Sequence, residues 1–121
     1  LSAAYLKDPS DPQWKDDAGM QRYRSFMAKY MPESDPNNVT AFYGYTTGQL
    51  MMKVLDLAAD NLTRENIMKQ AASLNNVSLD MLLPGASINT STTYYRVNKQ
   101  FQMMRFDGRK WERFGAMLTD E

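Results

Sequence analysis

From Val39 to Asp60 the chain runs without a proline, and apolar side chains recur through it at helical spacing. Val39, Phe42, Tyr43, Thr46, Leu50, Val54 and Leu57 fall three or four apart, a stripe wide enough to be buried. Tyr45, Met52 and Leu55 widen it. A helix of about 20 residues is about 30 Å long, the diameter of a small domain. The spacing therefore predicts a central helix on which the other segments pack. Gly44 and Gly48 sit one turn apart, each costing up to about 1 kcal/mol against alanine, and are expected to let another backbone come close. Plain helix packing would explain them. A functional reading is that Phe42 and Tyr43 point into a cleft with the positive end of the helix behind them.

Before this helix, Leu1 to Leu6 reads as the end of a strand. Lys7-Asp8-Pro9-Ser10-Asp11-Pro12 follows as a structured connector. Met20, Tyr23, Phe26, Met27 and Tyr30 repeat at helical spacing between Asp16 and Met31, with Asp16 and Asp17 suited to the N-terminal dipole. Pro32 ends that helix. After Asp60-Asn61, Thr63 is the expected N-cap of a third helix, with Leu62 stapled against Ile67 and apolar positions to Leu74. Val77 to Leu83 is apolar but aperiodic. Leu83-Pro84-Gly85 predicts a turn, and Ala86 to Asn89 a short extended piece. Lys99 to Phe106 and Arg109 to Phe114 flank Asp107-Gly108 and should form a hairpin with one packed and one wet face.

At 121 residues the chain is the size of one domain, and Leu1-Ser2-Ala3-Ala4-Tyr5 looks like the interior of a longer protein. Fourteen cations balance fourteen carboxylates, which argues against a generic polyanion binder. Cysteine and histidine are both absent. Thiol nucleophiles, disulfides, Cys/His metal sites and imidazole acid–base chemistry are thereby excluded from these residues. No carboxylate pair has the spacing of an acid–base couple, and neither a phosphate loop nor a nucleophile elbow is present. Ten methionines suit irregular core filling better than an adaptable surface. Cations interleave with aromatic residues along the hairpin, but strand alternation accounts for that without a nucleic-acid platform. Asn-x-Ser/Thr triplets begin at Asn38, Asn61, Asn76 and Asn89, and helix capping explains two of them through their threonines.

Eight landmarks occur in one order: Leu6-Lys7-Asp8-Pro9, Asp11-Pro12-Gln13-Trp14, Tyr43-Gly44-Tyr45, Leu62-Thr63-Arg64-Glu65-Asn66, Leu83-Pro84-Gly85, Ile88-Asn89-Thr90-Ser91, Gln102 to Gly108 and Trp111. In this order the chain resembles the C-terminal third of the periplasmic substrate-binding proteins of ABC transporters, in the branched-chain amino acid-binding (type I) group, and especially members that take up aromatic acids. The resemblance covers nearly the whole chain, and no single motif in it is diagnostic.

The resemblance implies an α/β fold, here three helices plus a C-terminal β-hairpin, as the C-terminal fragment of a two-lobed type I binding protein. Residues 1–95 would be the helical part of one lobe with crossover segments, and 96–121 a hairpin and tail joining the other lobe. It also implies a non-catalytic, periplasmic solute binder without a cofactor, taking amino acids or aromatic carboxylates and serving a membrane permease. Phe42 and Tyr43 are then the expected ligand contacts. Tyr45, further round the helix, and Tyr5, near a crossover, follow as weaker candidates. Where relatives often have Ser-Pro-Thr-Asp, this chain has Ser91-Thr92-Thr93-Tyr94. A reading from another class is a free-standing helical interaction module with a Met-rich surface and a basic hairpin. A fragment standing alone is expected to self-associate through helix faces and strand edges.

Overall fold

The computed structural model describes residues 1–120 as a mixed fold of three helices and a three-stranded antiparallel sheet. The first helix, α1 (Ala18–Tyr30), starts where Asp17, in extended backbone, accepts a hydrogen bond from the Met20 amide at 2.8 Å. Asp17 spends itself as the cap, so the helix begins later than the charge pattern predicts. Met20, Tyr23 and Met27 bury one face, and the chain leaves the helix at Met31, just before Pro32.

The second helix, α2 (Val39–Ala58), is the long element expected. Its cap is the asparagine of the first triplet and not the threonine, since Asn38 accepts from the Thr40 amide at 2.8 Å. The buried face is narrower than the apolar stripe: Phe42, Thr46, Val54 and Ala58 are buried, while Val39, Tyr43 and Leu57 are exposed. Thr46 is tolerated inside because its hydroxyl donates to the Phe42 carbonyl at 2.7 Å. The third helix, α3 (Arg64–Ala71), is capped by Thr63 as expected. It stops short of Leu74, because Thr90 Oγ1 donates to the Ala71 carbonyl and accepts from the Leu74 amide. Leu62 stays largely exposed, so the expected staple buries little of it.

The apolar, aperiodic stretch beyond α3 supplies half of the core. Leu74, Leu79, Met81, Leu82, Leu83, Ala86 and Ile88 are buried with Trp14 and the inner faces of α1 and α2. Its irregular backbone is satisfied by reciprocal Val77–Ile88 hydrogen bonds and by two long-range ones, Lys7 amide to Met81 carbonyl and Leu83 amide to Tyr5 carbonyl.

The sheet has the order β1 (Ser2–Ala4), β2 (Gln100–Phe106), β3 (Trp111–Thr119). The hairpin closes at Asp107-Gly108, where Asp107 Oδ1 accepts from the Arg109 and Lys110 amides and Gly108 takes φ +103°. A bulge follows, with Met103 opposite Phe114 but Phe101 opposite Leu118. Gly115, at φ +72°, absorbs it and lets β3 run on to Thr119, past the expected end at Phe114. β1 pairs with β2, so the first strand and the hairpin form one sheet. No residue of β2 or β3 is fully buried; Met117 packs half-buried against the core and Phe101 against Tyr5, so the expected packed face is only partial.

The two glycines of α2 do not admit a backbone from this chain, since a Cβ at Gly44 or Gly48 would meet nothing within 4 Å. The tight approach lies at Gly19, where a Cβ would sit 2.5 Å from the Asp80 carbonyl oxygen. Gly19→Ala should therefore destabilise the fold by about 1–3 kcal/mol through overpacking. Gly44→Ala should leave stability unchanged or raise it by up to about 1 kcal/mol. Denaturant titrations of both variants check this, and a Gly19→Ala midpoint equal to wild type would contradict the close contact.

Candidate functional site

Three elements meet at one carboxylate. Asp80 is 9% exposed, and its side chain accepts a two-pronged hydrogen bond from the Arg22 guanidinium of α1 and a 2.9 Å bond from the Tyr45 hydroxyl of α2. Its amide donates to Gln49 Oε1, and its carbonyl accepts from Lys7 Nζ at 2.7 Å. Lys7, itself buried, also donates to Asp17 at 2.8 Å. Burial works against ionising Asp80, but the bonds from Arg22 and Tyr45 and the Arg22 charge outweigh it and hold the carboxyl below the usual range. Asp17 is treated likewise: burial is overcome by Lys7 and the Met20 amide. Burial and the bond to Asp80 push the Tyr45 hydroxyl up to about 12, so it stays a donor at physiological pH. Among the described residues this network leaves no buried side-chain polar atom unpaired. A group so fully committed holds elements together and has no free capacity for a substrate.

Two cavities flank it. The larger is an open apolar groove of about 960 Å³ between α1, α2 and the loop joining them. Phe26, Met27, Met31 and Met52 wall it, Gly44 and Gly48 form its floor, and Tyr45 closes one side. The smaller, about 360 Å³, lies where the start of α2 meets the connector and the hairpin. Phe42, Trp14, Trp111, Leu83 and Met104 supply apolar walls, with Arg113 among them. The Arg113 guanidinium stands 4.8 Å from the centre of the Trp14 ring. Its only hydrogen bonds are long, 3.4 Å to Gln13 and 3.5 Å to Gln102, and it forms no ion pair among the described residues.

The four residues singled out from the sequence do not form one constellation. Phe42 is buried and lines the smaller cavity. Tyr43 is 53% exposed and lines neither. Tyr45 lines the groove, against Tyr23 and Phe26, and is engaged by Asp80. Tyr5 packs edge-on against Phe101 at 5.7 Å; burial, and secondarily the nearby Tyr43, raise its hydroxyl above the ordinary value. The sequence reading missed Trp14, Trp111 and Arg113 as neighbours of Phe42. Each stood in its own local motif, with no signal linking them across the chain. No helix among the described residues is long and apolar enough to cross a membrane.

No protein-family model, no curated protein and no solved structure matches the chain.

The network carries a pH dependence whose sign is fixed. Folded pKa values below the unfolded ones mean that the native state binds fewer protons, so the stabilisation is complete above about pH 5 and is lost as pH falls through the folded values. Arg22 is 63% exposed, so its ion pair with Asp80 is partly screened. Asp80→Asn should cost about 1–3 kcal/mol at neutral pH, because Tyr45 and Arg22 lose their charged acceptor. It should also flatten the acid limb of stability against pH. Melting curves from pH 3 to 7 measure both effects, and an unchanged acid limb would deny Asp80 its role.

Proposed function

We propose that this chain is the C-terminal part of an extracytoplasmic solute-binding protein of an ABC importer, taking up amino acids or aromatic carboxylates and catalysing no reaction. The observation that carries the reading is the smaller cavity, where Phe42 at the start of α2 is joined by Trp14, Trp111 and Arg113. Its volume, about 360 Å³, lies within the range of small-molecule sites. Aromatic walls favour a flat apolar ligand, and a guanidinium that has no carboxylate partner among the described residues suits an acid group. It also lies at the seam between the helical segment and the hairpin, the two parts assigned to different lobes. On this reading the fold is type I, the protein is periplasmic, and the loaded form delivers its solute to a membrane permease.

A free-standing interaction module is the second reading, favoured by the apolar groove between α1 and α2 with its exposed Phe26, Met31 and Met52. In the first reading that groove is covered by the parent sheet of the same lobe. In the second it seats a partner, and no solute is bound.

Phe42 is a poor probe, since truncating a buried aromatic residue costs about 3–5 kcal/mol of fold stability on its own. Arg113→Gln is the better one. In the full-length protein it should weaken an aromatic carboxylate such as benzoate or 4-hydroxybenzoate by roughly 10- to 150-fold, the worth of a charge-assisted hydrogen bond, with little change in melting temperature. Trp14 and Trp111 both line the cavity, so their fluorescence follows the titration. Equal affinity in both proteins would remove Arg113 from the site. Strong stabilisation by leucine, isoleucine and valine without any by aromatic acids would reverse the ligand preference. Binding of neither class would leave the module reading.

A further inference from the structure

The tip of the hairpin brings together exposed aromatic and basic side chains. Residues 105–111 are all exposed, and within them Phe106 and Trp111 face each other across the strands with ring centres 5.4 Å apart. They remain 51% and 38% exposed although they are large and apolar. Arg105, Arg109 and Lys110 lie beside this pair in the chain, Arg105 opposite Glu112 in the strand register. Two carboxylates, Asp107 and Glu112, share the region with these three cations, leaving one positive charge in excess. Asp107 is turned into the hairpin, where its Oδ1 accepts from the Arg109 and Lys110 amides, and Glu112 approaches Lys110 at 3.5 Å. Arg105 and Arg109 form no ion pair among the described residues. The chain as a whole is neutral, so this excess of positive charge is local.

We propose that the hairpin tip docks on an anionic lipid bilayer, with Phe106 and Trp111 entering the headgroup layer and Arg105, Arg109 and Lys110 held against lipid phosphates. Charge complementarity selects the occupant, and the aromatic pair selects a bilayer over a nucleic acid. Aromatic side chains concentrate at the interface between hydrocarbon and water, where an apolar body and a polar rim are both accommodated. Basic side chains beside them gain from the negative surface potential. A single-stranded nucleic acid instead needs open ring faces along a groove, and here the two rings are tilted 48° onto each other at one end of the sheet. The tip is a two-residue wedge with a cationic collar. The contact is peripheral and reversible; it shares Trp111 with the smaller cavity, so Phe106 and the three cations, which do not line that cavity, are the side chains that separate the two sites.

The test uses the whole chain and vesicles of phosphatidylcholine alone or with one quarter phosphatidylglycerol. Co-sedimentation should show binding to the anionic vesicles only, released by 0.5 M salt. Bromine-labelled lipid should quench Trp111, the exposed tryptophan, and spare Trp14, which is buried. Each cation is worth about fivefold in partitioning, so a variant carrying Arg105→Gln, Arg109→Gln and Lys110→Gln together should lose on the order of 100-fold. Phe106→Ser should weaken vesicle binding while leaving the circular dichroism melt in place. Equal sedimentation with both vesicle types, or full binding by the triple variant, would overturn the proposal. So would an oligonucleotide that binds the chain more tightly than anionic vesicles do.

Discussion

The buried carboxylate of Asp80 is the interaction on which the arrangement of the helices depends. A carboxylate out of water is costly unless its oxygens are filled, and here Arg22 from α1 and Tyr45 from α2 fill them. The same residue's backbone is fixed by Gln49 of α2 and by Lys7 of the connector. Asp80 therefore sets the spacing of α1 and α2 and the register of the irregular segment beside them. Gly19 belongs to the same constraint, since only a residue without a side chain lets α1 lie against the Asp80 backbone.

The network and the core hold α1 and α2 against the 79–83 segment, and the apolar groove opens between the two helices, with Met27, Tyr45 and Gln49 each shared between its wall and the core or the network. The exposed methionines and the bare glycines of α2 follow from this geometry. Both helices pack on the core, and α2 also against α3, while the groove between α1 and α2 stays open. The smaller cavity arises differently, where the start of α2 meets two segments distant in sequence, the connector and the hairpin. Its position at that seam gives Phe42 a dual character, as a core side chain whose edge also walls a pocket.

The sheet is tied to the helical part by few contacts. Tyr5 bridges them, bonding to Leu83 through its carbonyl and packing on Phe101 through its ring, and Arg113 lies over Trp14. With both faces half-exposed, β2 and β3 gain their order from the hairpin turn, the ladder to β1 and the glycine at the bulge. Such a sheet can present its tip outward without disturbing the core.

The sequence by itself determined the features that rest on local chemistry. These are the long helix with its apolar stripe, the helix broken at Pro32, the threonine cap of α3 and the turn at Asp107-Gly108. Each is decided within a few residues, by periodicity, a side-chain cap or a required backbone angle. The tertiary structure alone decided that Asp80 is the hub, that Leu79 to Leu83 is core, that Gly19 and not Gly44 marks the close contact, and that Trp14, Trp111 and Arg113 join Phe42. Those outcomes rest on hydrogen bonds and packing between residues far apart in the chain, such as Arg22 with Asp80 or Gln13 with Arg113. Spacing along a chain carries no trace of them, because an irregular buried segment has no period and a salt bridge across the core leaves no local motif.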